Sequence, residues 1–183
     1  MTTAKYLWVD IETTGLDPYE DHILELAAVV TDKGLNTLEE FEAVIKPGGC
    51  WSSEAAKLRS NPFVQNMHTV NGLWAATDTG DDLDEVLSQL YTLINEHEWA
   101  DSKPILAGSS VQFDRSFLKA DAPHIENLLH YRQFDVSTLK MNYEDHLGRP
   151  FVKYETAHRA MADIKQSIEA THRARYVMSR QAG

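Results

Sequence analysis

Cysteine is almost missing from this chain: Cys50 stands alone among 183 residues. No internal disulfide can form, so a reducing cytoplasm is the expected compartment. No apolar run approaches the roughly 18 residues that span a bilayer, and the first residues lack a basic segment leading into a secretory apolar stretch. The expectation is a protein without membrane contact. Repeats, low-complexity tracts and a convincing linker are also lacking, and 43% hydrophobic content suffices for one sizeable core. Residues 1–183 are therefore expected to form a single domain. Positive charge is scarce, with 17 Lys+Arg against 28 Asp+Glu and a formal net charge of −11. Long nucleic acids are normally held by many basic contacts, which a field of this sign discourages. A short anionic ligand caught where cations and a few donors cancel local charge is still allowed. Solubility alone accounts for the acidity equally well.

What the chain does have is acid in particular places. Lys5 to Leu16 opens as an apolar, β-branched and aromatic run that ends in turn residues, the pattern of a buried strand. Side chains alternate along a strand, so Asp10 and Glu12 share a face. Two carboxylates pressed together on a buried strand repel and lose hydration, unless a cation sits between them. Oxygen-only donors favour Mg²⁺ or Mn²⁺ over zinc. Taken alone, the pair reads as well as two solvated charges at a strand end. A third acid, Asp114, follows the short apolar strand at Pro104–Ala107 and starts a helix with Phe113, Phe117 and Leu118 on its apolar side. By itself it would be a capping aspartate. The fourth element is His158 with Asp163, at the start of a long helix predicted from Thr156 to about Arg180. Residues five apart diverge by about 140° on a regular helix, so these two converge only if His158 lies at or before an irregular first turn.

Elsewhere the signals alternate between strand and helix. Ile23–Thr31 and Leu38–Ile45 read as strands joined by a turn at Asp32-Lys33-Gly34, forming a meander with the first strand. Asp81–His97 reads as a helix, with Leu83, Val86, Leu87, Leu90 and Ile94 at helical spacing and acids suited to its start. Arg132–Val136 reads as a late strand followed by a helix. The predicted class is α/β, a central mixed sheet flanked by helices.

In this order, Asp10-x-Glu12, Phe113-Asp114 and His158-x4-Asp163 resemble the DEDDh branch of the 3′–5′ exonuclease superfamily, whose fold is ribonuclease-H-like. The resemblance is nearer to the oligoribonucleases. His130-Tyr131-Arg132-Gln133-Phe134-Asp135-Val136-Ser137-Thr138-Leu139-Lys140 is similar to that family's His-Tyr-Arg-x-x-Asp-Val-Ser-Thr-Leu block, and Met67 to Leu73 to its His-Thr-x-x-Gly-Leu segment. Departures exist as well. Thr13 stands where Met is usual, Ser109 to Asp114 replaces Asn-Ser-Ile-Gly-Gln-Asp, and Phe63 occupies a Trp position.

The resemblance implies two-metal phosphodiester hydrolysis, with Asp10, Glu12, Asp114 and Asp163 holding two Mg²⁺ or Mn²⁺ ions and His158 taking the proton of the attacking water. It implies very short RNA oligonucleotides, dinucleotides above all, as substrate. A proofreading-type exonuclease acting on DNA or longer single strands is the alternative, and a non-catalytic binding module is disfavoured because all five catalytic positions are occupied. Ser110, Arg132, Ser137 and Thr138 match residues that cap the substrate's 5′-phosphate. Leu16 matches an apolar wedge between bases, Phe63 a stacking position and His68 a residue lining the site. Ordinary core packing is an equal alternative for Phe63. Tyr131 matches a tyrosine lent to the neighbouring subunit, which implies a homodimer.

Overall fold

The computed structural model describes residues 3–48, 51–148, 150–151 and 157–181. Three strands come first, β1 (Ala4–Thr13), β2 (Ile23–Asp32) and β3 (Thr37–Val44), paired antiparallel as the predicted meander. Asp32 closes the β2–β3 turn by accepting the Asn36 amide at 2.9 Å. Three short helices follow, α1 (Ser53–Arg59), α2 (Pro62–Val70) and α3 (Leu73–Thr77), and then α4 (Leu83–Asn95). β4 (Ile105–Gly108) joins β1 in parallel and leads into α5 (Gln112–Asp121) and α6 (Pro123–Glu126). β5 (Gln133–Asp135) pairs in parallel with β4 and runs into α7 (Val136–Leu147), and α8 (Ala160–Gln181) completes the described chain. The strand order is β3-β2-β1-β4-β5, a mixed sheet with helical cover as expected.

Strand alternation splits the core on the sheet into two clusters, and a third, Leu24 with Ala56, Val64, Leu73 and Trp74, forms under α1 to α3. Leu7, Val9 and Ile11, with Leu26, Ala28 and Val30, pack against Val86, Leu87 and Leu90 of α4 and Phe117 and Leu118 of α5. Trp8, Ala27 and Val29 face the other way, onto Val136 of α7 and Ala160, Ile164, Ala170 and Ala174 of α8. Each fully buried Val, Leu, Ile or Phe among these contributes roughly 1.5–3 kcal/mol. Trp8 keeps its indole satisfied by donating to Thr31 Oγ1 at 2.9 Å. The even-numbered face of β1, which carries Asp10 and Glu12, is thus the face covered by α8.

Several predicted boundaries move, each for a local reason. α4 begins at Leu83 because Asp82 is its N-cap, accepting the Asp84 amide at 3.1 Å; Asp81 instead bridges Ile45, which lies just past the end of β3. β5 is shorter than Arg132–Val136 because Asp135 caps α7 and Val136 is already helical. The last helix begins at Ala160, and its predicted start at Thr156 lies outside the described residues, as does Cys50. Helices α1, α2 and α3 have no counterpart in the sequence reading; the signals for the first two are the caps Ser52 and Asn61 and the helix-starting Pro62. Among the described residues no helix is long and apolar enough to cross a membrane.

Candidate active site

The pairing of β4 with β1 ends at Ala107 opposite Trp8. Gly108 then passes so close that a Cβ on it would lie 2.9 Å from the Val9 carbonyl oxygen. Beyond that point the Ile11 amide donates to Asp114 Oδ1 at 3.0 Å. One hydrogen bond therefore ties the first turn of α5 to the C-terminal half of β1, and Asp114 is buried beside Asp10 and Glu12. From the opposite side comes α8. His158 sits two residues before it with a left-handed φ of 48°, and Asp163 lies in its first turn. That irregular turn is what the five-residue spacing required. Ligand atoms of Glu12, His158 and Asp163 all lie within 4.8 Å of one another. Asp163 Oδ1 also accepts the Ala157 amide at 3.3 Å.

Burial dominates the electrostatics. The Asp10 carboxyl is pushed up to about 9, first by desolvation and then by the charges of Asp114, Glu12 and Asp163. Glu12 is pushed up to about 8 by desolvation and then by Asp163, Glu25 and Asp114, while Arg159 opposes the rise. Asp114 rises to about 7 through burial, held back by the amides of Ile11 and its own residue. Asp163 is raised by burial too, against the Ala157 amide and His158. Near neutral pH such a cluster keeps protons unless a cation supplies the missing charge. Four carboxylates form a hard, oxygen-rich donor set, so these residues fit a divalent cation.

Leu16 follows β1 and is 79% exposed, and Phe63 on α2 is 69% exposed. Core packing, the alternative reading for Phe63, is thereby overturned. His68 does not line an open surface: it is fully buried behind β1, where Nε2 donates to the Thr13 carbonyl at 3.1 Å and lies 3.7 Å from Glu12 Oε2. Burial lowers its pKa, so it supports the strand end as a neutral ring.

The Oγ atoms of Ser110 and Ser137 are 3.0 Å apart, and Asp135 Oδ1 accepts both their amides, at 3.1 and 2.8 Å. Thr138 is exposed next to them. Arg132 is elsewhere. It precedes β5, whereas Ser110 and Ser137 follow the other ends of β4 and β5, with about 10 Å of strand between. Its guanidinium lies over the Tyr131 ring, 5.4 Å from the centroid, and Tyr131 is stacked on His130 and 75% exposed. The chain thus gathers the four acids, His158 and the two serines, but leaves Tyr131 and Arg132 at the far end of the sheet. Sequence reasoning missed Glu25, Asn71, Asp135 and Arg159, which organise these groups. Glu25 had a readable signal, an acid inside the apolar run Ile23–Val30.

Residues 7–171 match the family model described as Exonuclease. Oligoribonuclease of Cutibacterium acnes is 39% identical over 167 residues, covering 89% of this chain and 80% of the relative. The oligoribonucleases of Streptomyces coelicolor and Haemophilus ducreyi are 38% and 37% identical, covering 90% and 89% of this chain and 82% and 88% of the relatives. Among solved structures, the zinc-bound complex of E. coli exonuclease I with single-stranded DNA superposes with a TM-score of 0.68 at 19% identity, covering all of this chain and 42% of that one. The chain thus spans about two fifths of exonuclease I, and the likeness is one of fold.

Proposed function

The chain belongs to the exonuclease family, and from that premise we propose that residues 1–183 act as one 3′–5′ exoribonuclease domain that degrades very short oligonucleotides to mononucleotides in the cytoplasm. The observation that carries this reading is the meeting of Glu12, His158 and Asp163 within 4.8 Å, beside two further carboxylates whose pKa values are pushed to about 9 and about 7. Asp10, Glu12, Asp114 and Asp163 would hold two Mg²⁺ or Mn²⁺ ions, which when bound lower the pKa of the attacking water and stabilise the departing 3′-oxygen. His158 accepts the proton of that water. Imidazole suits this task because it changes charge nearest neutrality of all side chains. His68 and the Ile11–Asp114 hydrogen bond keep the strand end rigid beneath the reacting groups.

Leu16, exposed just after β1, and Phe63, exposed on α2, hold the terminal bases by wedging and stacking. Ser110, Ser137 and Thr138 receive the 5′-phosphate, and the closeness of the two serine hydroxyls supports this assignment. Arg132 suits forked binding of phosphate oxygens. Since it and Tyr131 occupy the opposite end of the sheet, they complete the site of a second copy, so the working form is a homodimer. The oligoribonuclease relatives support RNA as substrate. The fold shared with DNA-bound exonuclease I supports, as a second reading, action on DNA or longer strands.

Timed digestion of end-labelled RNA and DNA of about two to seven nucleotides, with Mg²⁺ or Mn²⁺, separates them. The first reading expects the shortest RNA to disappear fastest. Rapid processive loss from long DNA would reject it.

A further inference from the structure

Glu25 lies directly opposite Glu12 in the β1–β2 register, so the two side chains share a face. Like charges in that relation repel. Glu25 is also fully buried, a position a carboxylate holds only with a cation and donors on both oxygens. Both come from one short segment beside His158. Arg159 Nε donates to Oε1 at 2.9 Å and to Oε2 at 3.1 Å, its terminal nitrogen donates to Oε1 at 2.6 Å, and the Ala160 amide donates to Oε2 at 2.9 Å. The two residues after His158, Arg159 and Ala160, are thereby fastened to Glu25 on β2, 134 and 135 positions earlier in the chain. On the other side the Asn71 side-chain amide donates to the His158 carbonyl, while Asn71 Oδ1 accepts the Leu73 amide at 3.0 Å. Between these anchors His158 adopts φ 48°. For a residue with a side chain that conformation is strained, and it persists only where the surroundings over-determine it.

We infer that Glu25, through Arg159 and Ala160, and Asn71, through the His158 carbonyl, are positioning residues: together they clamp the strained turn that points the His158 imidazole into the carboxylate cleft. This rests on the proton-accepting role proposed for His158. Cutting either arm lets the His158 backbone relax toward ordinary dihedrals and swings the ring away, while Asp10, Glu12, Asp114 and the base-stacking residues stay in place. The loss then falls on kcat and spares KM.

The test is a double-mutant cycle, measured on a 5′-phosphorylated RNA dinucleotide with saturating Mn²⁺. Glu25→Gln should lower kcat about 30-fold and Asn71→Ala about fivefold, each with KM within about twofold, because a misplaced catalytic group forfeits rate in this range. When His158→Ala is already present, either substitution should lower kcat by less than about twofold further, since its effect passes through the imidazole. Equal losses with and without His158 would overturn the clamp while leaving the hydrolytic reading intact. Full activity of His158→Ala would overturn both. Should Glu25→Gln fail to fold, Asn71→Ala decides, because it leaves the buried ion pair whole.

Discussion

Replacing Glu12 with glutamine should stabilise the cation-free protein even as it removes turnover. The Glu12 carboxyl is pushed from 4.5 up to about 8, by burial first and neighbouring acids second. Between those values the folded chain keeps a proton that the unfolded chain releases, so stability is full below about 4.5 and is lost as pH rises toward 8. At pH 7 this penalty is about 3 kcal/mol at most, taking about 1.4 kcal/mol for each pH step above 4.5. Glutamine keeps the shape with no charge to desolvate. Relaxation of the cleft reduces the gain, leaving about 1–2 kcal/mol, or a rise in Tm of about 3–6 °C for a chain of this size. The assay is thermal unfolding in a chelator at pH 7.0 and pH 4.5. At the lower pH the gain should shrink below about 0.5 kcal/mol, because the folded acid is then protonated and the unfolded one is already half protonated. Excess Mn²⁺ should invert the order, since only the wild-type protein gains full cation binding. A variant less stable at both pH values, or equally stabilised at both, would refute the reasoning.

Three further outcomes follow from the site. His158→Ala should lower kcat by about 10²–10⁴ with KM little changed, the usual worth of a general base, in steady-state assays on a dinucleotide. Phe63→Ala should raise KM about tenfold through lost stacking, and an unchanged Tm would agree with its exposure. Arg132→Lys should raise KM about tenfold for a 5′-phosphorylated dinucleotide, where the fork is lost, yet leave a dinucleotide without that phosphate unaffected; equal effects on both substrates would remove Arg132 from the phosphate cap.

How much of this was legible in the sequence depended on whether the signal was local. Strand alternation alone put Asp10 and Glu12 on one face, and helical spacing found α4 from Val86, Leu87 and Leu90. The meander followed from two apolar runs and a turn. His158 and Asp163 were readable only conditionally, because a regular helix separates them and the left-handed turn that unites them has no sequence signature. Helices α1 to α3 are five to nine residues long, too short for periodicity to outweigh noise; only α1 and α2 carry side-chain caps, and α3 starts at Gly72 without one. Arg132 and Ser137 are neighbours in the sequence block but not in space, since β5 carries the chain across the sheet between them. Glu25 stood out as an acid in an apolar strand, while its partner Arg159 could be found only from the fold.

The central claim, that carboxylates from distant segments gather to hold paired cations, is tested most directly by calorimetric titration of Mn²⁺ at pH 7 in two buffers of different ionisation enthalpy. Wild-type protein should bind two ions per chain and release between about two and three protons in total, since Asp10 and Glu12, and Asp114 where it is protonated, must ionise to coordinate, and Asp10→Asn should lose both an ion and a proton. A single weak site with no proton release, or an Asp10→Asn titration indistinguishable from wild type, would contradict the account.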